Sequence, residues 1–272
     1  MTADAPALPQ SSALAARLVW RAESESTNTE LVREAGADPA QWPHFSVLLT
    51  DTQLSGRARL DRTWASAPGS GLAISVLIRP QFPVESYGWI ALLAGIAMTE
   101  AVAAVLAESG LEPERAALKW PNDVLVDGKK ICGTLAEITG ERAVVIGAGL
   151  NTEMSAEQLP VAHATSLAVL GARVTPDAIV SLYLSRFREL YDGLVAAGGD
   201  AVASGLAARV TARCDTLGRD VRVEMPAGRT LLGRAEGIDP GGRLIVRDAT
   251  SGESTPIAAG DITHLRFPTP GA

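Results

Sequence analysis

Apolar and polar positions recur along this chain with two periods, and the switch between them marks its organisation. Residues 45–50, 71–79 and 144–150 are short, nearly continuous apolar runs, the pattern of strands covered on both faces. Residues 124–126 and 131–138 flank Asp127-Gly128, which reads as a β-hairpin with Asp-Gly at its turn. The apolar stretch 87–107 is too long for a strand, and Thr99 and Glu100 near its middle leave too few uncharged residues to span a bilayer. It is expected to be a buried helix against a sheet, stopped at Gly110. Thr27-x-x-Glu30 has the form of a capping box and opens a short helix through about Ala35. A second long helix over 175–197 carries a core-facing stripe of Leu182, Phe187, Leu190, Tyr191 and Leu194. The pattern predicts an α+β fold, with the strands in one mixed sheet and the helices on one of its faces.

Beyond about residue 208 the rhythm shortens. Residues 220–225, 230–238 and 243–248 are alternating strands separated by Pro226-Ala227-Gly228 and Asp239-Pro240-Gly241-Gly242, as in a small barrel. Gly198-Gly199 and the helical segment after it form the expected join. The predicted organisation is a flexible tail over 1–15, a larger domain over 16–208 and a small β-domain over 209–272. No helix-turn-helix fits ahead of residue 20.

Composition narrows the function. A formal net charge of −7 over 272 residues argues against a broad basic surface for nucleic acid, so any positive charge that matters must be local. Cys132 and Cys214 are far apart, and His44, His163 and His264 are equally scattered, which supports neither a disulfide framework nor a zinc cluster. The N-terminus has no basic stretch followed by an apolar one, so a cytoplasmic location is expected, with no membrane partner.

Polar chemistry is concentrated in four places. Residues 118–137 read L-K-W-P-N-D-V-L-V-D-G-K-K-I-C-G-T-L-A-E and place Lys119, Asn122 and Asp123 at the entrance of the hairpin and Lys130 just past its tip. The Lys129-Lys130 pair alone suits a solvated surface as well as a site. A tryptophan and a proline beside two turn-forming polar residues, however, build the rigid kind of corner that holds ligands. Residues 53–64 carry Arg57, Arg59 and Arg62 in one loop, which is either a solvated basic loop or one that closes on an anion. Ser26-Thr27-Asn28 alone says only that a helix starts. Gly147-Ala148-Gly149-Leu150-Asn151 lacks the third glycine of a dinucleotide fingerprint and the lysine of a P-loop; it reads as a buried strand whose glycines admit a ligand to the backbone.

Taken together, S-T-N at 26–28, Q-x-x-G-R-x-R at 53–59, K-W-P-N-D at 119–123 with G-K-K-I-C-G-T-L-A-E at 128–137, and G-A-G-L-N at 147–151 resemble biotin protein ligases, in the form lacking an N-terminal DNA-binding domain. The resemblance extends over about residues 20–266. It implies a class II synthetase-like catalytic domain with a mixed sheet packed by helices, followed by an SH3-like barrel. It also implies two reactions. Biotin and Mg-ATP give biotinyl-5′-AMP and pyrophosphate, and a lysine of the biotin carboxyl carrier protein domain of acyl-CoA carboxylases or pyruvate carboxylase then attacks the mixed anhydride. DNA is not an implied partner, and both monomers and homodimers occur in the family.

By this resemblance the biotin site comprises Ser26, Thr27, Asn28, Gln53, Arg57, Ala58, Arg59, Trp64, Lys130, Gly133 and Gly147. The nucleotide site comprises Arg57, Arg59, Lys119, Asn122 and Asn151. Lys130, Arg59 and Lys119 are the implied catalytic cations, and Asp123 is the implied Mg²⁺ ligand. The residue types suit these roles. A buried ureido ring needs its two N–H donors and one carbonyl acceptor paired, cations stabilise charge that grows as pyrophosphate leaves, and Mg²⁺ prefers carboxylate and phosphate oxygens. Two alternatives remain at this point: a lipoate or octanoate transferase of the same superfamily, and a biotin-sensing module.

One departure stands out. Where the family has G-R-G-R-x-G-R, this chain has G-R-A-R-L-D-R, with Ala58, Leu60 and Asp61 in the loop. Alanine lacks the conformational freedom of glycine and Asp61 adds negative charge near an anion site, so a slower or leakier adenylate-holding loop is expected. Restoring Ala58→Gly and Asp61→Gly together is expected to slow adenylate release, timed by its loss from the enzyme; unchanged release would remove the idea.

Overall fold

A computed structural model of the chain describes residues 6–59, 63–64, 67–225, 229–258 and 261–264. In chain order it contains α1 (Pro9–Leu14), β1 (Arg17–Trp20), α2 (Thr27–Ala37), β2 (Ser46–Thr50), β3 (Gly56–Arg57), β4 (Thr63–Trp64), β5 (Gly71–Ile78) and α3 (Gly88–Glu108). There follow β6 (Ala116–Lys119), β7 (Asp123–Val126), β8 (Lys129–Ile138), β9 (Val144–Asn151), α4 (Pro176–Ala196) and α5 (Leu206–Arg213). The C-terminal part holds β10 (Asp220–Glu224), β11 (Thr230–Ile238), β12 (Leu244–Asp248), β13 (Ser254–Ile257) and β14 (Asp261–His264).

Seven strands form one sheet in the order β1-β2-β5-β9-β8-β7-β6. Only β1 and β2 run parallel, so the sheet is mixed. Its two faces differ because large and small side chains alternate along the central strands. Ile74 and Val76 of β5 and Ile146 of β9 face α3 and α4 and join Leu93, Ile96 and Phe187 in the main core. The intervening positions Ala73, Ser75, Gly147 and Gly149 face the other way. The expectation that all helices lie on one face is therefore corrected. Leu31 and Ala35 of α2 pack on Leu48, Leu77 and Val145 of the opposite face. That face is large and apolar only where α2 covers it, and the rest of it is open.

Helix α3 is the buried helix expected, but the expectation that Thr99 and Glu100 leave it too few uncharged residues to span a bilayer is corrected: it is long and apolar enough to cross a membrane, and it is its enclosure by protein that makes it a core helix. Gly110, at φ +74°, follows its end, and Leu111 N–H donates to Leu106 O while Gly110 N–H donates to Ala107 O. This is the left-handed cap that glycine favours. The expected tail over 1–15 is not irregular from Pro9 onward. Asp177 at the start of α4 accepts from Ser11 N, Ser11 Oγ and Gln10 N, which fastens α1 to α4. A boundary at residue 208 falls inside α5, which packs against α3.

The C-terminal strands form an antiparallel sheet ordered β13-β12-β11-β10-β14, the arrangement expected of an SH3-like domain. The turn at 226–228 lies outside the described residues. The other turn is gripped by the larger domain: Trp89 Nε1 donates to Pro240 O at 2.7 Å and Trp120 Nε1 to Gly242 O at 3.1 Å. Thr216 Oγ1 accepts from Trp120 N at 3.0 Å and lies 3.1 Å from His264 Nε2. Burial, reinforced by the charge of Lys119 and of Arg219 against the opposing Asp215, holds His264 down at about 4.

The unfolded chain titrates its histidines near 6.5 and binds the extra proton first as pH falls. The stability tied to a neutral His264 is thus fully present above about pH 6.5 and is lost as pH falls toward 4. His44, lowered mainly by burial and then by Arg188, adds to the same slope. Melting temperature is expected to fall over this window, with a shallower slope in His264→Gln; an unchanged slope would show that this histidine is not held neutral.

Candidate active site

The open part of the α2 face is the floor of a cleft lined by residues from α2, the β3–β4 segment and the central strands. Strand register builds it in rows. One row crosses Lys119, Asp123, Gly133, Gly149 and Ala73, and the next crosses Leu135, Gly147 and Ser75. The three glycines lower the floor where side chains from above come down on it. A Cβ at Gly149 would lie 2.7 Å from Trp64 Nε1, one at Gly133 would lie 2.9 Å from Lys130 Nζ, and one at Gly147 would lie 2.9 Å from Asn28 Cγ. Any side chain at these positions would occupy the space that the cleft uses.

Helix α2 supplies one wall. Its N-cap is Ser26, which accepts from Thr29 N at 3.4 Å, so the capping box expected from Thr27 and Glu30 is corrected to a simple serine cap one residue earlier. Glu30 bonds instead to Ser24 Oγ at 2.7 Å and Glu25 N at 3.1 Å. Thr27, relieved of capping, gives its backbone N–H to Gln53 Oε1 at 3.0 Å. The Ser75 hydroxyl donates to Asn28 Oδ1 at 2.6 Å and lies 2.8 Å from Thr27 Oγ1. Asn28 Nδ2 donates to Leu135 O at 3.1 Å and Glu137 Oε2 at 2.9 Å. The wall is a closed polar network, buried and mutually oriented, of the kind that holds a polar ring.

The cationic rim comes from two sources. Lys130 reaches the cleft through a β-bulge between β7 and β8, where Leu125 pairs with Lys130 and Val124 with Cys132. The extra residue puts both Ile131 and Cys132 into the core, so Lys130 and Gly133 share the cleft side although they are three apart. Lys130 Nζ lies 2.6 Å from Asp123 Oδ1 and 5.5 Å from the centre of the Trp64 ring. Its backbone is fixed as well, by bonds from Lys130 N to His163 O and from Thr165 N to Lys130 O, each 2.8 Å. The short β3–β4 ladder brings the second source. Arg57 Nη1 pairs with Glu137 Oε1 at 2.7 Å, and Arg59 Nη1 donates to Asn122 Oδ1 at 3.1 Å. Asn122 is itself anchored to Thr134 O at 2.6 Å.

Of the residues expected in the site, Ser26, Thr27, Asn28, Gln53, Arg57, Ala58, Arg59, Trp64, Asn122, Asp123, Lys130, Gly133 and Gly147 line this one cleft. Lys119 stands at the outer end of its row and does not line it. Asn151 is also outside it, buried with Nδ2 given to Thr165 O at 2.9 Å. Ala58 has no positive φ, so alanine is accommodated there without backbone strain. Leu60, Asp61 and Arg62 lie outside the described residues. Ser75, Leu135 and Glu137 were not anticipated. A lone serine within an eight-residue apolar strand, and the period-2 run Gly133, Leu135, Glu137, were the available signals.

Residues 21–151 match the Biotin/lipoate A/B protein ligase family and residues 216–265 match the biotin protein ligase C terminal domain. The chain is 37% identical to the biotin–acetyl-CoA-carboxylase ligase of Mycobacterium tuberculosis, over 91% of this chain and 90% of that protein. It is 29% identical to the bifunctional ligase/repressor BirA of Bacillus subtilis, over 75% of this chain and 62% of that one. Its fold matches the biotin protein ligase from Aquifex aeolicus solved with biotin and ATP at a TM-score of 0.72, with 22% identity, 93% of this chain and 100% of that one covered. With both domain matches in order along one chain and a full-length relative well above 30% identity, the chain belongs to the biotin protein ligase branch of the Biotin/lipoate A/B protein ligase family.

Proposed function

We infer that the chain is an ATP-dependent biotin ligase, which activates biotin as biotinyl-5′-AMP and passes it to a lysine on the biotin carboxyl carrier domain of a carboxylase. The observation that carries this reading is the sharing of one cleft by the polar wall of Thr27, Asn28 and Gln53, backed by the buried Ser75 hydroxyl, and a cationic rim of Arg57, Arg59 and Lys130. An octanoate or lipoate chain has no ring N–H or ureido carbonyl for that wall to pair. A binding-only module has no use for the rim.

In the first step a biotin carboxylate oxygen attacks the α-phosphorus, the bond to the β-phosphate breaks, and pyrophosphate leaves. Lys130 offsets the two anionic reactants where they meet, and Arg57, Arg59 and Lys119 offset charge on the departing phosphates. In the second step the acceptor amine attacks the acyl carbon, AMP leaves, and the amine gives up a proton.

Magnesium fits the residues present in one way. Among the described residues no group of three or more His, Cys, Asp or Glu forms a metal cage. A cation that arrives with the triphosphate, however, takes only one or two carboxylates, and Asp123 is a carboxylate in the cleft. Bound there, the ion would supply further neutralisation of the triphosphate. Asp123 now holds Lys130, so the two cations draw on the same group. A cytoplasmic location, where ATP and carboxylases meet, belongs to the same reading.

The test is biotin-dependent exchange of pyrophosphate into ATP by the purified protein, run beside lipoate and octanoate. Exchange with biotin alone is expected. Exchange with octanoate but not biotin, or with no acid despite biotin binding, would overturn the reading.

A further inference from the structure

Glu137 lies on the cleft side of β8, two residues beyond Leu135, and touches two parts of the site that are far apart in sequence. Its Oε2 accepts from Asn28 Nδ2 at 2.9 Å, and its Oε1 lies 2.7 Å from Arg57 Nη1. We propose that Glu137 is a positioning residue for the ligation, one carboxylate oxygen aiming Asn28 at the bound ring and the other tying the arginine loop across the cleft. The proposal rests on the ligase reading and adds to it a residue that acts through two others.

An asparagine amide has two N–H donors and an oxygen with two lone pairs. Both donors of Asn28 are taken, by Leu135 O and Glu137, so the amide cannot turn over without losing two bonds. Its Oδ1 keeps a single bond, from the Ser75 hydroxyl, and so retains a lone pair for a ureido N–H. The loop end depends on the same carboxylate for a different reason. Strands β3 and β4 pair over only two residues, too short a ladder to hold itself closed. Arg57 stands at its turn end, opposite Thr63, and its tie to Glu137 reaches from there to β8 of the floor. Because Arg57 is about half exposed, that tie is expected to matter by a factor of a few rather than by orders of magnitude.

The two functions separate by substitution. Glu137→Gln keeps an oxygen acceptor for Asn28 but removes the charge facing Arg57; Glu137→Ala removes both. In the full-length protein, Glu137→Gln is expected to leave biotin affinity within about twofold while speeding escape of preformed biotinyl-5′-AMP about two- to fivefold. Glu137→Ala should show the faster escape and also weaken biotin binding about tenfold. In an Arg57→Ala background Glu137→Gln should have no further effect on escape.

Unchanged escape in Glu137→Gln, or an effect that persists without Arg57, would overturn the proposal. So would equal loss of biotin affinity in both Glu137 variants with matching falls in melting temperature, the mark of a merely structural residue. If Glu137→Ala does not fold, the Gln variant in the two backgrounds decides the matter. Failure of the unsubstituted protein in the exchange assay would instead remove the ligase reading beneath it.

Discussion

Replacing Lys130 with alanine is expected to lower biotin-dependent pyrophosphate exchange by about two to three orders of magnitude, the usual effect of deleting one preorganised donor from a developing anionic centre. The structure shows why no neighbour replaces it. Lys130 reaches the cleft only because the bulge in β8 turns it there, and its backbone is pinned on the other side by His163 and Thr165. Arg59 is bonded to Asn122 and Arg57 to Glu137, so neither stands in the position that Lys130 vacates. Lys130→Arg should rescue poorly, since a planar guanidinium does not fit where a compact ammonium sits 2.6 Å from Asp123. Biotin affinity measured without ATP should fall much less than the exchange rate. Near-normal exchange at saturating substrates would move the chemistry to another cation.

The same lysine shows how far sequence reasoning reached. The hairpin, its Asp-Gly turn and the candidate residues on it could be read directly, because turn chemistry and apolar runs are local properties. Which face Lys130 occupies could not, since strict alternation from Gly133 puts it on the core side and only the unpaired Ile131 reverses this. The clamp from residues 163–165 was equally hidden, because backbone hydrogen bonds leave no mark on side-chain identity. Strands β1 and β6 were missed because four residues are too few to show a period. That α2 lies on the face opposite the other helices is not legible in the sequence, because an amphipathic pattern shows that a helix has a buried side, not which side of the sheet receives it.

The polar wall was half legible in the same sense. Ser26, Thr27 and Asn28 carry helix-start chemistry whatever else they do, and the capping box at Thr27 was the natural reading. The structure moves the cap to Ser26 and releases Thr27 and Asn28 for bonds to Gln53, Ser75 and Glu137. These partners come from β5, β8 and the loop before β3. Their convergence is a matter of sheet order, which no single segment records.

That convergence makes Gly147 the most sensitive point of the floor. Gly147→Ala is expected to weaken biotin binding about 10- to 100-fold, because its Cβ would lie 2.9 Å from Asn28 Cγ and closer still to Oδ1. Flexible neighbours relieve such overlaps by moving, but Asn28 is held by Ser75, Leu135 O and Glu137 at once. It must either break two or more of those bonds or force β9 away from α2, and overpacking of this kind costs about 1–3 kcal/mol. A fall of several degrees in melting temperature should accompany it. Gly140→Ala, where nothing lies within 4 Å of the added Cβ, should change neither quantity. ATP affinity should be nearly unaffected, since the Gly147 row runs through Leu135 and Ser75 and includes neither Lys119 nor Lys130. Calorimetric titration with biotin and with ATP separates these effects. If biotin binding survived while stability fell, Asn28 would be a structural residue and the ring would have to bind elsewhere in the cleft.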